Sequence, residues 1–194
     1  MSGIKIIEVN GKISIDSPYN PDFVKRIKVA GGKWNPDTKQ WTMDARSIET
    51  AREILREIYG EDDRGGDKVT VRVTIGKEDY NTACGPAVIL GRVIARAQGR
   101  DTGAKVGDGV SFVKGAPTSG GSMKYWKTVL PAGSIFEIYD VPAVAVETAL
   151  ASQNEAMYTV EAVDMNAPDI EALKAERERL AARIAEIDAI INKN

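Results

Sequence analysis

Histidine is absent from the 194 residues, and Cys84 is the only cysteine. Without histidine the commonest general base, zinc ligand and physiological pH switch are missing. A Ser-His-Asp triad, a Cys–His dyad and a Cys/His zinc site within one chain are therefore excluded. A single cysteine allows no intrachain disulfide and points to a reducing compartment. Cys84 itself, in Thr-Ala-Cys-Gly-Pro, reads as a small buried thiol. No apolar run approaches the roughly 20 residues needed to span a bilayer. The N-terminal residues enter an alternating strand pattern at once and lack the apolar stretch of a signal peptide. These absences predict a cytoplasmic, non-catalytic chain with no membrane partner, no metal and no cofactor. Catalysis by carboxylates and Mg²⁺ alone survives composition.

Hydrophobic residues make up 43% and charged residues 28%, a globular balance that supports a buried core. The net charge of −2 is unevenly spread. Residues 1–60 carry ten Lys/Arg against eight Asp/Glu, and residues 68–140 carry ten against six, with acidic segments after each. A local basic patch can bind polyanions whatever the whole-chain balance.

The local patterns predict an α+β protein. Asn10-Gly11 between the apolar-alternating runs 4–9 and 12–16 is a strong hairpin signal, because a type I′ turn needs positive φ at both central residues. Asn20-Pro21 supplies a helix cap followed by proline, and Gly31-Gly32 a stop. A second hairpin, with Trp34 and Trp41 on its two strands, leads to a helix opened by Asp44. Residues 1–60 thus read as a ββαββα module. Residues 61–67, Glu-Asp-Asp-Arg-Gly-Gly-Asp, read as an acidic, glycine-rich flexible linker. Residues 68–165 read as a β-rich domain with one covering helix at 142–151 and a closing strand at 158–163. Its strands are expected at 69–75, 88–95, 110–113, 124–129 and 135–139. The Gly/Ser segments 103–109 and 115–122 are expected as loops, the latter as a mobile hairpin tip or a phosphate cradle.

Residues 168–192 read as a helical oligomerisation tail. Ile170, Leu173, Arg177, Leu180, Ile184, Ile187 and Ile191 step alternately by three and four, a heptad a/d seam. A helix this short needs a partner surface. Either it docks on its own domain or it makes a homodimer, and the narrow stripe favours the dimer. Arg177 at an a position would set register.

Two basic, aromatic stretches are the candidate binding residues. Trp34 and Trp41 flank a turn beside Lys25, Lys28, Lys33 and Lys39. Exposed, the indoles would be a base-stacking platform beside phosphate-attracting charge; otherwise both pack in a small core. Arg92, Arg96 and Arg100 recur along and just past one strand, with 92 and 96 on one face by alternation. Lys105, Lys114, Lys127, Lys124 and Trp126 extend that basic surface.

The segment Gly31-Gly32-Lys33-Trp34-Asn35-Pro36-Asp37-Thr38-Lys39-Gln40-Trp41, following Phe23, Ile27 and Lys28, resembles the HARP-type module found beside annealing helicases and in phage proteins. The resemblance covers about residues 12–59. It implies contacts with forked or single-stranded DNA, and binding without remodelling, since no helicase motor accompanies it.

Three functional expectations follow. The first is a non-catalytic nucleic-acid-binding protein of phage or mobile-element origin, acting as a dimer on single-stranded or forked DNA. The second is a phage-encoded antagonist of a host defence complex, of the anti-CRISPR or anti-nuclease type, acting by binding a host nucleoprotein complex. The third is a small-nucleotide sponge using the loop 115–122.

Overall fold

The computed structural model describes residues 3–151, 157–163, 177–180 and 183–184. The described residues as far as Val163 form one compact unit, and those beyond it a second. The first 60 residues run β1 (Lys5–Val9), β2 (Lys12–Asp16), α1 (Pro21–Val29), β3 (Lys33–Asn35), β4 (Gln40–Asp44), a 3-10 turn (Ala45–Ser47) and α2 (Ile48–Tyr59). The sheet is antiparallel in the order β1-β2-β4-β3. Asn10 and Gly11 take φ of 52° and 71°, the left-handed pair that a type I′ turn requires. The Asn20 side chain accepts from the amides of Asp22 and Phe23, satisfying donors that the first turn of α1 leaves unpaired. Asp44 caps the 3-10 turn rather than α2 itself. Both helices cover one sheet face, where Ile13, Ile15, Phe23, Ile27, Trp41, Met43, Leu55 and Tyr59 form a core. The buried Ala51, Ile54, Leu55 and Tyr59 recur at helical spacing along α2.

The rest of the compact unit runs β5 (Lys68–Ile75), β6 (Tyr80–Ala83), β7 (Ala87–Ile89), β8 (Arg92–Ala97), β9 (Ala104–Val106), β10 (Val110–Lys114), β11 (Thr118–Gly121), β12 (Trp126–Leu130), β13 (Ile135–Pro142), α3 (Ala143–Ala151) and β14 (Tyr158–Val163). Three antiparallel sheets result, ordered β10-β13-β5-β14, β11-β12-β6 and β7-β8-β9. Alternation on β5 buries Val71, Val73 and Ile75 and exposes Arg72. These valines join Ile89, Ile94, Leu130, Phe136, Ile138 and Val160 in a second core.

Several expectations are corrected. The run 88–95 is a hairpin, not one strand: Leu90 and Gly91 both take positive φ, 52° and 70°, and turn the chain. The segments 103–109 and 115–122 each contain a strand, β9 and β11, and the β11 backbone is committed to its ladder with β12. Residues 61–67 are not a free tether. Glu61 and Asp62 are buried and paired with Lys68 (3.2 Å) and Arg56 (2.7 Å), while Asp63 holds Arg52 through two bonds of 2.8 and 3.0 Å. Cys84 is exposed, at φ 50°. Of the heptad residues, Arg177, Leu180 and Ile184 are exposed positions of a helix. Ile170, Leu173, Ile187 and Ile191 lie outside the described residues.

No helix among the described residues is long and apolar enough to cross a membrane.

Candidate nucleic-acid interface

The β7–β8 turn presses against the first core. The Asn20 amide group, already capping α1 with its oxygen, donates to the Gly91 carbonyl at 3.0 Å. The Tyr59 hydroxyl donates to the Pro18 carbonyl at 2.6 Å, fixing the segment that enters α1, and burial pushes the Tyr59 pKa up. These contacts hold Pro18 and Tyr19 against β8 and β9.

Between them lies a depression of about 600 Å³, whose lining includes Tyr19, Arg92, Arg96, Lys105 and Asp108. Arg96 and Lys105 are directly opposed on the β8–β9 ladder, so their side chains stand together on one face. The Arg96 guanidinium lies 5.4 Å from the centre of the Tyr19 ring, a cation–π pair that leaves the phenol half exposed. Arg92 uses one of its five N–H donors on the Asp140 carbonyl, at 2.9 Å. Three cations thus face one carboxylate, Asp108, within the lining. Such an excess in a concave site, with a low-dielectric wall behind it, concentrates positive potential.

Arg92 and Arg96 both line this depression although the strand between them is irregular. The β7–β8 register shifts at Ala87/Val88, and Ile94 and Ala95 are consecutively buried. That bulge breaks the period of two. Arg100 is outside the lining and pairs with Asp101 at 2.7 Å. Trp126 opens β12 of the sheet β11-β12-β6, and Lys124 lies in the turn before it, its ammonium 5.5 Å from the Tyr125 ring. Lys114 ends β10 and Lys127 lies on β12, both exposed and outside the depression's lining.

The tryptophan hairpin divides its labour. Trp41 is 6% exposed and meets Phe23 edge-on at 6.5 Å, so it is a core residue and offers no platform for a base. Trp34 is 49% exposed and packs over Trp41, with ring centres 5.4 Å apart. The Lys28 ammonium lies 5.9 Å from the Trp41 ring. Lys33 is on the wrong face for this cluster. Register places it beside Thr42, Ser14 and Ile7, on the sheet face away from the helices. Lys39 sits in the turn at φ 54°, and Lys25 is exposed on α1. The structure therefore brings together Arg92, Arg96 and Lys105 in one place, and Lys28 and Trp34 in another. Tyr19 was not anticipated: an aromatic wedged between a proline and a helix cap carries no periodicity to mark it.

Comparison with protein-family models, curated proteins and solved structures finds no match.

Proposed function

We propose that the protein binds single-stranded nucleic acid, without chemistry of its own, in the depression formed by Tyr19, Arg92, Arg96 and Lys105. The observation that carries the reading is the convergence of three cations on a concave surface beside a half-exposed phenol. Cations supply the sequence-independent attraction to phosphates, and an aromatic face supplies base stacking. The resemblance of residues 12–59 to HARP-type modules supports the same ligand class, and the heptad pattern of the tail supports a dimer that presents two such sites. Fluorescence anisotropy with labelled single-stranded DNA, duplex DNA and RNA tests it. Single strands bind the wild type, and the R96E/K105E double variant, both exposed positions, loses that binding while keeping its melting temperature. Equal binding by the variant, or none by the wild type at about 50 mM salt, overturns the reading.

A second reading, a protein-directed antagonist of a host defence complex, draws on the β11–β12 tip. There Met123 and Tyr125 are 83% and 62% exposed beside Lys124. Protruding apolar and aromatic side chains of this kind are common anchors at protein interfaces. Under this reading M123A/Y125A abolishes co-purification with a host complex and leaves oligonucleotide binding unchanged.

A further inference from the structure

We infer that Trp34 and Lys28 form a second, base-stacking subsite, and that a single strand runs along α1 from the Tyr19 depression to reach it. The inference rests on the nucleic-acid reading above and adds to it a path, a length and a preference for unpaired bases.

Tyr19 immediately precedes the cap of α1, and Lys28 lies in its last turn. Lys28 is nine positions on from Tyr19, about 13 Å at the helical rise. Lys25 is exposed between the two, one helical turn before Lys28 and on the same side of the surface. Arg26 is set apart from this row by its ion pair with Glu57. At the far end, Trp34 is on the helix-covered side of the sheet, the same side as α1, because it pairs directly with the buried Trp41. Its indole is rigidly backed by a second ring and half open to solvent. A ring so held loses little freedom when a base stacks on it, and Lys28, 5.9 Å from the Trp41 ring on which Trp34 packs, is placed to meet the adjoining phosphate. The order along the helix is thus cations and phenol, lysine, lysine, indole. A span of about 13 Å corresponds to about four nucleotides of stacked strand at roughly 3.4 Å each. A duplex cannot present a base face to Trp34 without unpairing, so this subsite selects single strands.

The test is a length series of oligothymidylates, from about two to about twelve nucleotides, titrated against the full-length protein and followed by tryptophan fluorescence and anisotropy. Affinity is expected to climb steeply up to about four to six nucleotides and then level off, with quenching of Trp34. Trp34→Ala should weaken the longer oligomers by about 5- to 150-fold, the worth of one stacked base, and leave dinucleotide binding unchanged. Trp34→Phe should restore most of the loss, and Lys28→Glu should mimic it. If long oligomers bind and respond to R96E/K105E but ignore Trp34→Ala and Lys28→Glu, the second subsite is overturned while the depression stands. If no oligomer binds, both fall together.

Discussion

Replacing Gly91 with alanine tests whether the two cores are fastened to each other through the β7–β8 turn. Gly91 has φ 70°, and a Cβ built on it would lie 2.2 Å from the Ile58 carbonyl oxygen and 3.2 Å from the Tyr59 Cα. Both obstacles are backbone, so no rotamer change relieves them. The left-handed conformation alone costs an alanine about 1–2 kcal/mol. Relieving the overlap requires the turn to lift off α2, which stretches the 3.0 Å bond from buried Asn20 to the Gly91 carbonyl. A weakened bond with a buried amide left short of a partner adds about 1–3 kcal/mol. The expected total is about 2–5 kcal/mol, reaching the upper end for a single substitution. Gly11 supplies the control: it has nearly the same φ, 71°, but nothing within 4 Å of an added Cβ. Gly11→Ala should therefore show the backbone strain alone. Urea unfolding of both variants measures the two costs by linear extrapolation. If Gly91→Ala costs no more than Gly11→Ala, the turn does not bind the cores together. Oligonucleotide binding should fall in parallel with the Gly91 variant, because the depression draws its walls from both sides of that contact.

The two tryptophans should rank in order: Trp41→Ala should cost about 3–5 kcal/mol in urea unfolding as a large core deletion, and Trp34→Ala about 2–3 kcal/mol from its half-buried area. Asp63→Asn removes two charge-assisted bonds to Arg52 and should cost about 1.5–3 kcal/mol near neutral pH. The Arg52 guanidinium holds the pKa values of both Asp63 and Glu49 below their ordinary values. A depressed folded pKa gives stability that is complete above the unfolded carboxylate value, about 4, and lost as pH falls through the folded one. The wild type should accordingly lose stability below about pH 4, and Asp63→Asn should show a smaller loss over the same interval in urea midpoints measured at each pH.

Where structure follows from chemistry local to a few residues, the sequence carries it. Asn10-Gly11, the Asn20 cap and the strict alternation of β5 each declare an element without reference to anything distant. The turn at Leu90-Gly91 does not, because leucine is a poor candidate for positive φ and is held there by packing. β11 contains Thr-Ser-Gly-Gly, which has little intrinsic preference for a strand, and exists through its ladder to β12. The acidic segment 61–67 has the composition of a tether, yet Arg52, Arg56 and Lys68 pair with its first three carboxylates, and Glu61 and Asp62 are buried. At the candidate site, Arg92 and Arg96 were legible as a pair, and both line the depression although the strand between them carries a bulge. The separation of Lys33 from Trp34 was already present in their spacing, since neighbours on a strand face opposite ways. Tyr19 required the fold.

The salt dependence of single-strand binding tests the central claim most directly. On strands too short to reach Lys28, three phosphate contacts, from Arg92, Arg96 and Lys105, give a log–log slope near −2, so affinity should fall about 18-fold between about 50 and 200 mM salt. Removing two of those contacts in R96A/K105A should flatten the slope to about −0.7, a fall of about threefold over the same range. A slope near −2 that flattens in this way places the phosphates in the depression. A slope near zero in the wild type, or one that the double variant leaves unchanged, contradicts the account.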